Sequence, residues 1–119
     1  MILNQNLIND KSEILKLFNH VLENNKYDEE IKNLLIYKKA LYSSNFISEI
    51  ELLEELKPLL KKEIVWKAHA LLLIGDYFAS KKEDLKAKDF YTQVLLMENP
   101  QKDLYEQAKY KLSLNYNDQ

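Results

Sequence analysis

The sequence predicts an all-α fold of about six helices, paired as antiparallel hairpins. Three observations predict it. Its 119 residues include one glycine and two prolines, far fewer than strands joined by tight turns need to supply positive φ and fixed bends. Apolar residues recur at spacings of three and four along most of the chain. Helix start signals precede these stripes and leave loops of roughly 2–5 residues, which forces neighbouring helices to run antiparallel.

The first helix is expected over about 11–23, with Asp10 and Glu13 as a capping box and Ile14, Leu17, Phe18, Val21 and Leu22 as its stripe, ending at Asn24-Asn25. Ile2, Leu3, Leu7 and Ile8 read as the tail of a further helix. The second starts after Asp28 and carries Ile31, Leu34, Leu35, Leu41 and Tyr42 before Ser43-Ser44-Asn45. The third has the strongest start: Ser48 with Glu51 forms a capping box, and Ile47 with Leu52 a hydrophobic staple. Its stripe runs Leu52, Leu53, Leu56, Leu59, Leu60, and Pro58 within it predicts a kink or an early end.

The fourth helix, about 64–79, is apolar round most of its circumference, so it is expected to be the most buried. Trp66 at its start reads as core. The fifth spans about 84–98 with Ala87, Phe90, Tyr91, Val94 and Leu95. Asn99-Pro100 then reads as N-cap and first-turn proline of a sixth helix bearing Leu104, Tyr105, Ala108 and Leu112. More than 70% helix is expected in all.

With 46% hydrophobic and 30% charged residues the chain has an ordinary globular balance, sized for one domain. The net charge is −2, and all 17 basic residues are lysines interleaved with acids. Without arginine the chain lacks the fork that reads phosphates and guanine edges, so nucleic-acid binding is not expected. Cysteine is absent, which excludes disulfides and thiolate metal sites. The longest apolar stretch, 70–74, is too short to span a bilayer, and the N-terminus lacks a basic-then-apolar signal pattern; a soluble chain is expected.

Catalytic chemistry finds little to work with. His20 and His69 lack the acids at i±3 or i±4 that a metal would want, apart from Glu23 beside His20. One glycine permits no phosphate-cradling loop and no nucleophile elbow. The carboxylates Glu49, Glu51, Glu54, Glu55, Glu83 and Asp84 fall on solvated helix faces among lysines, where they serve solubility. No enzyme, no cofactor and no metal is expected. A helical enzyme or ligand-binding bundle would need convergent buried polar groups, which the stripes do not offer.

At a spacing of 34 residues the chain aligns with itself: Tyr37 with Leu71 and Tyr105, Ala40 with Ile74 and Ala108, Ser44 with Phe78 and Leu112. Leu71-x-x-Ile74-Gly75-x-x-Phe78, followed by Ala87-x-x-x-Tyr91-x-x-Val94 and Asn99-Pro100, resembles the tetratricopeptide repeat (TPR). Gly75 and Ala87 would let two helix backbones approach and are expected to face each other. The resemblance implies a short right-handed array: one good repeat over about 68–100, a degenerate copy over about 31–60 with Leu41 where a small residue belongs, and a closing helix over about 101–116. The run Leu56-Lys57-Pro58-Leu59-Leu60, then Trp66-Lys67-Ala68, the Gly75 repeat and the stretch 104–112 are similar to the C-terminal part of the YfgM-like periplasmic family. Those proteins are ancillary subunits of the bacterial Sec translocon, with an N-terminal membrane anchor before TPR-like helices. That resemblance implies a bacterial periplasmic location, an anchor ahead of residue 1, and a role in translocation or periplasmic chaperoning. The same fold in the cytosol would serve an adaptor or an oligomerising scaffold.

In TPR arrays the first helices of successive hairpins line a concave groove. Carried over, that rule gives the rows Leu35 with His69, Lys38 with Leu72, and Tyr42 with Asp76. The mixture suits a protein partner, as an extended peptide or a helix. An end helix with an exposed apolar strip is also expected, covered by a partner or by self-association into a homo-oligomer.

Overall fold

A computed structural model describes residues 2–23, 29–61 and 64–116, with side chains described over 11–23, 29–61 and 64–114. It is all-helical, 81% helix with no strand among the described residues. The elements are α1 (Ile2–Glu23), α2 (Glu29–Ser43), α3 (Glu49–Leu56), a 3-10 turn (Lys57–Leu60), α4 (Lys67–Ser80), α5 (Asp84–Leu95) and α6 (Lys102–Tyr116). None of these helices is long and apolar enough to cross a membrane.

α1 corrects the sequence reading at its start. It begins at Ile2, so Asp10 sits inside a helix and not at a cap, and Ile2, Leu3, Leu7 and Ile8 are its own first turns. The reason is continuity: no glycine or proline interrupts 2–23, and Leu3 and Leu7 stay in phase with Ile14, Leu17 and Val21. The stop at Asn24-Asn25 and the Asp28 start lie outside the described residues.

The α3 start is as read. Ser48 is extended, its Oγ accepts from the Glu51 backbone N–H at 3.2 Å and donates to Glu51 Oε1 at 3.1 Å. Pro58 does end the α-helix early, at Leu56, and the chain tightens into the 3-10 turn.

α4 is the central element. Nine of its residues are buried, including Leu71 at 1% exposure and Ile74 at 0%. It closes with a Schellman turn: Glu83 N–H reaches Phe78 O at 2.9 Å, Lys82 N–H reaches Ala79 O at 3.0 Å, and Lys82 holds φ 61°. α5 packs on both α4 and α6. The row Ala40, Ile74, Ala108 is wholly buried on α2, α4 and α6 alike.

Three further boundaries move, the first being α4, which starts at Lys67 and not near 64. α5 stops at Leu95, and α6 starts at Lys102 with Gln101 O accepting from Tyr105 N–H at 2.9 Å. Asn99-Pro100 is thus part of the connecting turn and caps nothing. Asn99 has φ 53°, a left-handed conformation that asparagine tolerates better than most residues and that no N-cap uses. Gly75 faces α5, with the ring of Tyr91 its nearest neighbour there. The atoms nearest to a Cβ at Gly75 all belong to the ring of Tyr91, one turn beyond Ala87 on α5. Gly75 therefore makes room for an aromatic ring, while Ala87 is buried on the same face.

Candidate functional site

Three alternate helices, α2, α4 and α6, together line one recess of about 230 Å³: Tyr37 and Leu41 from α2, His69, Leu72, Leu73 and Asp76 from α4, Asp103, Leu104 and Gln107 from α6. A larger hollow of about 540 Å³ is lined by Lys67 and the loop residues 96–99, so a single turn shapes most of it. This recess gathers side chains from three packed helices, which hold them in fixed relation.

Its aromatic end is tightly built. Tyr37 stacks on Trp66 with centroids 5.6 Å apart, and His69 sits 4.5 Å from Trp66 and edge-on to Tyr37 at 5.5 Å. Trp66 is half-buried against the core, as the sequence indicates. Burial raises the Tyr37 phenol, and nearby Asp76 adds to the rise, so Tyr37 stays neutral at physiological pH. Burial also lowers His69, against a smaller opposing pull from Asp103. His69 Nδ1 is enclosed with no hydrogen-bond partner among the described residues.

That atom yields a prediction. A histidine held below its ordinary value is neutral in the folded state while the unfolded chain takes up a proton. The stability it contributes is present above the ordinary value and is lost as pH falls through it toward the folded value. His69→Phe keeps an aromatic ring beside Trp66 and removes the orphan atom, a gain on the order of 1 kcal/mol. The expected result is a variant at least as stable as the parent at pH 7.5 whose melting temperature falls less between pH 7.5 and 5.5. An equal or steeper fall, followed by circular dichroism, refutes it.

Asp76 is engaged within the fold. It accepts from Tyr91 Oη at 2.6 Å and from Lys111 Nζ at 2.7 and 2.8 Å, joining α4, α5 and α6 at the rim. Lys111 also lies 5.8 Å from the Tyr91 ring centroid.

Of the six residues assigned to the groove from sequence, His69, Leu72 and Asp76 line this recess. The α2 residues do not join them. Leu35 faces the other way, onto a purely apolar hollow with Ile14, Leu17, Phe18 and Val21 of α1. Tyr42 meets Phe18 at 6.5 Å and Phe46 at 6.1 Å, and Lys38 is exposed outside the recess. α1 packs only on α2 among the described elements, so it draws α2's apolar residues to its own side. That turns Tyr37 and Leu41 into the recess instead. On α6 the 34-residue rule does hold: Asp103 is 34 residues beyond His69, and Gln107 is 34 beyond Leu73. Extending the rows by one more repeat would have found Asp103 but not Gln107, since Leu73 stands in none of them, and would also have given Glu106 and Tyr110, which do not line the recess.

Both end helices expose large apolar side chains: Leu17 on α1 is 63% exposed, and Tyr110 and Leu114, one turn apart on α6, are 62% and 58% exposed. Among the described residues no three His, Asp or Glu side chains are grouped to hold a metal ion. The chain matches no protein-family model, and neither a curated protein nor a solved structure is similar to it.

Proposed function

We propose that the chain is a protein-interaction module of TPR-like hairpins that docks a partner segment, as an extended peptide or a helix, along the α2–α4–α6 recess. In keeping with the YfgM-like resemblance, the proposal places it in the bacterial envelope, in service of translocation or chaperoning. The observation that carries the binding role is the recess itself. It has an apolar floor in Leu72, Leu73 and Leu104 and a lip, Leu41, that is 48% exposed. Polar groups from α4 and α6 stand round it. A lip of this kind presents apolar area that a partner can cover, and the polar groups set its direction and register.

A photoreactive benzoylphenylalanine at position 41 tests the reading in cells that make the protein. The control is the same group at Leu85 on α5, which is equally apolar and more exposed but lies outside the recess. The expected result is a discrete protein adduct from position 41, lost when Gln107→Trp fills the recess, and no such adduct from position 85. Adducts of equal yield from both positions, or an adduct at 41 indifferent to Gln107→Trp, overturn the proposal.

A further inference from the structure

The recess carries two acids in different states: Asp76 is ion-paired with Lys111 at 2.7 Å, and Asp103 has no lysine partner among the described residues. Asp76 and Asp103 line it together with Tyr37, His69 and Gln107, and no lysine is in its wall. Outside the recess the fold already displays how this rim treats a cation. Asp76 takes the Lys111 ammonium through both carboxylate oxygens, with the Tyr91 ring 5.8 Å from the nitrogen. An acid and a tyrosine thus hold an ammonium by charge-assisted hydrogen bonds and by the ring's negative face. Asp103 lies eight residues before Lys111 on α6, about 12 Å along the helix and two turns away. There Asp103 lines the recess that Tyr37 also lines. Among the described residues no lysine makes an ion pair with Asp103.

Resting on the docking role argued above, we propose that the recess selects a partner segment carrying a lysine or arginine, with the cation at Asp103 and the aliphatic stem on Leu41 and Leu72. The stem requirement follows from the wall: a lysine or arginine stem buries its methylenes on leucine while its head stays with the acid. A recess of about 230 Å³ holds one long side chain and not a folded domain, so the selection is by a single residue of the partner. His69, beside Asp103, is kept neutral by its burial, which leaves the carboxylate's field uncompensated from that side.

Fluorescein-labelled twelve-residue peptides with alternating leucines and lysine, arginine, norleucine or glutamate at the centre provide the probe. Anisotropy titrations at about 150 mM salt suppress diffuse attraction. The lysine and arginine peptides should bind about tenfold tighter than the norleucine isostere, and the glutamate peptide weakest. Asp103→Asn should shrink that preference to about twofold or less and leave the norleucine peptide's affinity unchanged. Asp89→Asn removes the same net charge from α5, where Asp89 is exposed and accepts a hydrogen bond from Gln93, and should keep the full preference. Peptides that all bind with equal affinity, or a basic preference that Asp103→Asn leaves intact, overturn the selectivity while the docking role stands. A series in which no peptide binds counts against both.

Discussion

Gly75→Ala will lower the unfolding free energy by about 1–3 kcal/mol, although alanine is the better helix former by about 1 kcal/mol. The new Cβ would stand 2.5 Å from Tyr91 Cε1 and 2.8 Å from Cδ1. The ring cannot swing aside cheaply: Tyr91 is 2% exposed, and its hydroxyl is tied to the carboxylate that also binds Lys111. Moving it strains the joint of α4, α5 and α6 together. Truncating the ring should reverse the sign. Tyr91→Val alone costs about 2–5 kcal/mol through the cavity it leaves, but in that background Gly75→Ala should become neutral or stabilising by up to about 1 kcal/mol. The four proteins form a double-mutant cycle readable by urea unfolding. Additive effects would mean that Gly75 and Tyr91 do not share this space.

The parts of the fold legible in the sequence are those settled within a few residues. Ser48 and Glu51 define a helix start through two hydrogen bonds three residues apart, and nothing distant competes with them. α4 was legible for another reason: a helix apolar on all sides can only be central. Positions that depend on a distant partner were not legible. A glycine in a helix announces that something approaches; that the ring of Tyr91 comes nearest depends on how α4 and α5 cross. The recess divides along the same line. α4 and α6 keep the 34-residue register because both pack on α5, so His69 and Asp103 fall in one wall. α2 has α1 on its far flank, and Leu35 and Tyr42 serve that contact, which rotates the useful face to Tyr37 and Leu41. Asn99 misled because asparagine is at home both as an N-cap and in left-handed turns, and sequence alone does not separate the two.

Leu59→Ala is expected to cost about 2–5 kcal/mol, and Leu60→Ala less than half as much, though the two are adjacent and chemically identical. The difference comes from Pro58. In an α-helix both Leu59 and Leu60 would follow Leu56 on its own face, and the sequence stripe treats them alike. The 3-10 turn has three residues per turn, so side chains three apart eclipse. Leu59 therefore stands in line with Leu56, and both are 0% exposed, whereas Leu60 is rotated on by a third of a turn and is only half-buried. That turn packs against α2 and α4, so a cavity at Leu59 opens in the core, where neighbours held by α4 have little freedom to collapse. Pro58→Ala restores a donor and lets the α-helical spacing run on, which should narrow the gap between the two leucine variants made in that background. Urea midpoints for the four leucine-to-alanine proteins decide it. Equal losses at Leu59 and Leu60 in the parent, or a gap unmoved by Pro58→Ala, would show that the proline does not set which leucine enters the core.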